Sequence, residues 1–209
     1  MTLEEKRKMV RILSLVVIFA GIMVMTGWIF DIGILKSISP AWVTMKFDTA
    51  VAFVLSGITL SFILRALEGE FEKAQVALSI TSLIIILPMG ILFFSALIGI
   101  RTGVEDLFIK EMPAGVKTVT PGRPSLPTML NFILIAAAGI MTTLSPRRLR
   151  SKLKTVGLVV GATGALATAG YIFNTPLLYY YVVGTNSAMA CNTALLFVIL
   201  GIGFVCLSD

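Results

Sequence analysis

Three stretches of this chain carry one set of residue types at one spacing: a threonine, a phenylalanine four residues on, and a small residue four further. Met45 to Ile58 reads MKFDTAVAFVLSGI and Met189 to Ile202 reads MACNTALLFVILGI, identical at seven of fourteen positions. Upstream, Gly27-Trp28-Ile29-Phe30-Asp31 corresponds to Gly170-Tyr171-Ile172-Phe173-Asn174, at an offset of 143 residues against 144 for the later motif. A weaker copy lies between them, where Pro127-Thr128-Met129 precedes Phe132 and Ala136. These groups give and accept hydrogen bonds; they do not make a catalytic set. The chain has no histidine, which removes the commonest general base and imidazole metal ligation. There is no phosphate loop, and the paired acids are confined to Glu105-Asp106 and to Glu68, Glu70 and Glu72, which read as a solvated turn. Neither an enzyme, a metal site nor a cofactor is expected.

Positions i, i+4 and i+8 share one helix face, so each copy presents Thr, Phe and a small residue as one stripe. Asp48, Asn192 and the Thr hydroxyls are placed to cap first-turn amides, which would otherwise lack acceptors near lipid. Gly57, Ala136 and Gly201 let a neighbouring helix approach closely. Caps and packing account for the whole motif; the same residues also allow three helix ends converging on a binding cavity.

The elements that must position these stripes are membrane spans. Hydrophobic residues are 57% of the 209 and charged ones 13%, against about 25% charged in soluble domains. Six apolar runs can be marked, near Val10–Phe30, Thr49–Leu67, Val76–Ile100, Thr128–Leu144, Val156–Phe173 and Met189–Leu207, none with a charge in its interior. The first is read as an uncleaved anchor. The expected fold is an all-α, multi-pass bundle of six helices, a single domain over residues 1–209. It is built of three helical-hairpin repeats, about 9–67, 76–145 and 156–207, about a pseudo-threefold axis along the membrane normal. Pro88 and Gly90 predict a kink in the third span. Cys191 and Cys206, fifteen residues apart on one helix, cannot pair and read as packing residues.

Eleven basic residues fall on the side of the termini and six on the other, placing both termini in the cytoplasm of a cell-membrane protein. The net charge of +6 is then mostly this bias, and no nucleic-acid face is expected. The longest outer loop, residues 101–127, carries Val104, Leu107, Phe108 and Met112 at helical spacing among Glu105, Asp106 and Lys110, which predicts a short interfacial helix. Trp28, Phe30, Trp42, Tyr171, Phe173 and Tyr179 to Tyr181 form an outer aromatic belt, ordinary at headgroup level. If a pocket exists, the candidate lining is Trp28, Asp48, Thr49, Phe53, Thr128, Asn131, Tyr171, Asn174, Asn192, Thr193 and Phe197. Such a lining suits a lipid, a quinone or another hydrophobic ligand.

Three segments in order, GWIFDIGILKSISPAWVTMKFDTAVAFVLSGITL, GRPSLPTMLNFILIAAAGI and GYIFNTPLLYYYVVGTNSAMACNTALLFVILGIGF, resemble the N-terminal integral membrane sensory region of prokaryotic sensor histidine kinases and diguanylate cyclases. The resemblance covers nearly the whole chain. It implies a six-helix input module, able to pair as a homodimer, that signals through its sixth span to a cytoplasmic kinase or cyclase, as in two-component systems. Many relatives carry His where Asn192 stands, so a function needing that imidazole does not transfer. The sequence ends at Asp209, after the sixth span; the sensory reading expects the frame to continue into an effector, and a standalone carrier or scaffold for an uncharged hydrophobic molecule is the alternative.

Overall fold

The computed structural model describes residues 2–112, 115–144 and 148–208. Pro146 and Arg147, the end of the second hairpin at 145, and Asp209 lie outside the described residues. The described residues are all-helical, with six helices long and apolar enough to cross a membrane: α1 (Leu3–Ile29), α3 (Phe47–Leu67), α4 (Phe71–Ile98), α5 (Leu126–Thr143), α6 (Leu149–Ile172) and α7 (Cys191–Ser208). A four-residue helix, α2 (Gly33–Lys36), lies in the first long loop. This is a multi-pass membrane protein.

Three helices start several residues before their apolar runs. At α1 the reason is a capping box: the Glu5 amide donates to Thr2 Oγ1 at 3.2 Å and the Thr2 amide donates to Glu5 Oε2 at 2.7 Å. The basic and acidic residues that follow are good helix formers, so the helix runs through them into the apolar stretch. Helix α4 runs on through Pro88 to Ile98.

Packing is strongest within α1/α3, α4/α5 and α6/α7. In addition α1 lies on α7, α4 on α3, and α6 on α5, so each outer helix bridges two inner ones. Helices α3, α5 and α7 are the inner set: 50, 50 and 56% of their most apolar windows are buried, against 28, 33 and 33% for α1, α4 and α6. Phe53, Phe132 and Phe197 meet at the centre with ring centroids 4.9, 4.9 and 5.1 Å apart, all fully buried. Close helix approach rests on glycine. A Cβ on Gly57 would lie 2.8 Å from the Ser14 carbonyl oxygen of α1, and one on Gly201 would lie 2.7 Å from the Gly157 carbonyl oxygen of α6.

The connections after α1 and α6 share one framework. Trp28 Nε1 donates to the Met45 carbonyl and Tyr171 Oη to the Met189 carbonyl, both at 2.8 Å. The Met45 amide donates to Lys36 O and the Met189 amide to Tyr179 O, both at 2.9 Å. Asp31 and Asn174 both turn the chain with positive φ, 54° and 49°; short polar side chains tolerate that region best.

Candidate functional site

The long loops between α1 and α3, α4 and α5, and α6 and α7 sit at one end of the bundle; Leu3 and Leu207 are together at the other. At the long-loop end Thr49, Thr128 and Thr193 converge, all buried, beside Met45, Ser125 and Met189. The void they share is about 10 Å³, room for about one water. It is sealed by a buried ion pair: Lys46 Nζ donates to Glu111 Oε1 at 2.5 Å and to Thr118 Oγ1 at 3.0 Å, while the Gly122 amide donates to Glu111 Oε2 at 2.6 Å. Burial pushes the Lys46 ammonium below its ordinary value, against the opposing pull of the Glu111 carboxylate.

The expected caps form in part: Asn192 takes a first-turn amide of α7, whereas Asp48 leaves an oxygen unpartnered. Helix α3 begins at Phe47, so Lys46 occupies the N-cap position without a side-chain cap bond and Asp48 lies inside the first turn. Asn192, in the matching position of α7, accepts from the Thr193 amide at 3.1 Å and donates to Lys36 O at 3.3 Å. Asp48 Oδ2 is buried and has no hydrogen-bond partner among the described residues. Asn131 Nδ2 donates to Thr163 Oγ1 at 2.6 Å, leaving its Oδ1 buried without a partner among the described residues. Asn174 is exposed in its turn, and Trp28 and Tyr171 brace the chain entering α3 and α7.

A cavity of ligand size lies elsewhere, between α3 and α4. It measures about 350 Å³ and is almost wholly apolar, within the usual range for small-molecule sites. Val51, Ala52 and Leu55 of α3 form one wall, Ile84, Ile85 and Pro88 of α4 the other, and Asp48 stands at the long-loop end. It opens toward lipid, where Ile84, Leu87 and Ile91 are 46, 55 and 45% exposed. Of the residues singled out from the sequence as pocket lining, only Asp48 borders it; Pro88 is the site of the expected kink, Val104, Leu107 and Phe108 belong to the expected interfacial helix, and the rest are apolar residues with no distinguishing pattern.

The roof of the cavity is Val104, Leu107 and Phe108. The helix expected there is a single 3-10 turn, Val104–Asp106, because Glu105 points inward instead of forming a polar face. Its Oε2 accepts from the Thr102 and Gly103 amides at 3.2 and 2.9 Å, and its Oε1 pairs with Arg123, whose guanidinium also reaches the Ile100 carbonyl. Burial alone would raise the Glu105 carboxyl, but Arg123 and these donors hold it below the usual glutamate value. Gly122, with φ 75°, passes so close to the Glu105 carbonyl that a Cβ there would sit 2.1 Å from its oxygen. Phe108 packs on Phe47 at 5.6 Å, fixing the roof to the start of α3. Compared with known proteins, the chain matches no family model, no curated protein and no solved structure.

Proposed function

We propose that this protein is a membrane-embedded sensory input module, in which a small apolar or amphiphilic molecule enters the α3–α4 cavity from the bilayer and shifts α7. The observation that carries the reading is the continuity between cavity and α7. Ala52 lines the cavity, while Phe53, the next residue of α3, packs on Phe197 of α7 at 4.9 Å. Further along, Leu60 of α3 fills the space beside Gly203 of α7, where a Cβ would lie 2.6 Å from Leu60 Cδ2. A ligand that spreads α3 from α4 therefore pushes on α7 at two points, and it shifts the equilibrium by its differential affinity for the two arrangements. On this reading α7 leads to a cytoplasmic effector, the basic residues Lys6, Arg7 and Arg11 mark the cytoplasmic end, and the three hairpins are repeats about one axis. The ring of helix contacts and the matched bonds of Trp28 and Tyr171 support the last point.

The test is pulsed electron paramagnetic resonance between spin labels at Arg65→Cys on α3 and Ser208→Cys on α7, with Cys191 and Cys206 replaced by alanine and n-octanol as the probe. The reading predicts a ligand-dependent distance change that Val51→Phe, which fills the cavity, removes. A distance unaffected by the probe refutes transmission to α7; a change that persists in Val51→Phe refutes the cavity.

A further inference from the structure

Asp48 is 6% exposed, lines the α3–α4 cavity, and leaves Oδ2 without a hydrogen-bond donor among the described residues. Buried carboxylates are ordinarily paired, because an unpaired one loses hydration with nothing in return. The local backbone does not require the acid: Asn192, in the matching place on α7, satisfies both ends of its amide there. Lys46 is committed to Glu111 and Thr118, Arg101 to Asp106 and Arg123 to Glu105. Glu105 and Asp106 are thus already paired, and the Asp48 carboxylate, at the long-loop end of the cavity, is the one left over.

We infer, resting on the reading above, that the cavity takes a free amphiphile bearing one protonated amine, whose ammonium pairs with Asp48 while its apolar body lies between α3 and α4. A compact ammonium suits a single carboxylate oxygen better than a planar guanidinium, which favours two. Phe108 at the roof adds an aromatic ring to the same lining, a surface that a cation favours. The 350 Å³ of the cavity is roughly twice the ~150 Å³ apolar void that holds benzene. That fits one short chain or a small ring system and excludes both chains of an aminophospholipid.

The experiment is equilibrium binding of radiolabelled n-octylamine to the purified protein in phosphatidylcholine nanodiscs, competed by octylamine, octanol or octanoate, and repeated with phosphatidylethanolamine added. The expected result is that octylamine binds roughly ten- to a hundredfold tighter than octanol, the scale of a charge-assisted hydrogen bond, with octanoate weakest. In Asp48→Asn the preference falls below about twofold while octanol still competes. Equal binding of octylamine and octanol to the wild type, a measurement needing no variant, overturns the inference and leaves an apolar site standing. A preference that survives in Asp48→Asn, or displacement of octylamine by phosphatidylethanolamine, also overturns it. Failure of both probes to bind overturns it together with the sensory reading.

Discussion

Replacing Glu111 by Gln strips the Lys46 ammonium of its counter-charge in a setting where water cannot take over. The Lys46 and Glu111 side chains are 5 and 8% exposed and 2.5 Å apart. Gln keeps an acceptor for the Gly122 amide, so the loss is chiefly that of the charge. Breaking one partner of a buried pair costs about 3–5 kcal/mol, and for a chain of this size each kcal/mol moves Tm by about 2–4 °C. The expected fall is therefore about 6–20 °C. Cys191 is buried and reports unfolding by its reaction with a thiol-sensitive dye during a thermal ramp in detergent. The double variant Lys46→Met/Glu111→Gln removes the stranded ammonium and should recover most of the loss. A Glu111→Gln protein melting within about 1 °C of wild type, or a double variant worse than the single, would refute the reasoning.

Glu105, held below its ordinary value of 4.5, stabilises the roof above that pH, and the contribution is lost as pH falls through the lowered folded-state value; limited proteolysis of residues 101–112 should accelerate below about pH 4.5, and Arg123→Ala should remove that dependence. Gly122→Ala, which combines positive φ with a backbone clash, should open the same loop at neutral pH, seen as proteolysis without change in helical circular dichroism. Phe197→Ala should cost about 3–5 kcal/mol, and Phe197→Leu distinctly less, read as Tm shifts. Trp28→Phe and Tyr171→Phe each remove one bond to a methionine carbonyl, so both should lower stability by about 0.5–1.5 kcal/mol; unequal losses would argue against equivalent roles.

The stripes were legible in the sequence because i, i+4 and i+8 on a helix admit one geometry, and Phe53, Phe132 and Phe197 accordingly meet at the centre. Asp48 stood out as an acid at the edge of an apolar run, but its role was not readable. Whether it caps α3 or lies within the first turn depends on a helix start only one residue away, at Phe47. The 101–127 loop misled for a related reason: Glu105 at helical spacing looked solvent-facing, while its partner Arg123 lies 18 residues on, beyond any local pattern. The cavity itself was invisible. Leu55, Ile84 and Leu87 differ in no way from the apolar residues around them, and only the meeting of α3, α4 and the roof makes them a lining.

The central claim, that a ligand occupies the α3–α4 cavity, is tested most directly by a crystal structure of the protein with 8-bromo-octylamine, phased for anomalous scattering from bromine. The account predicts a bromine peak between α3 and α4, near Leu55 and Pro88, with the amine against Asp48. Bromine confined to the outer surface of the bundle, with Leu55 and Ile84 packed together across the closed space, would contradict it.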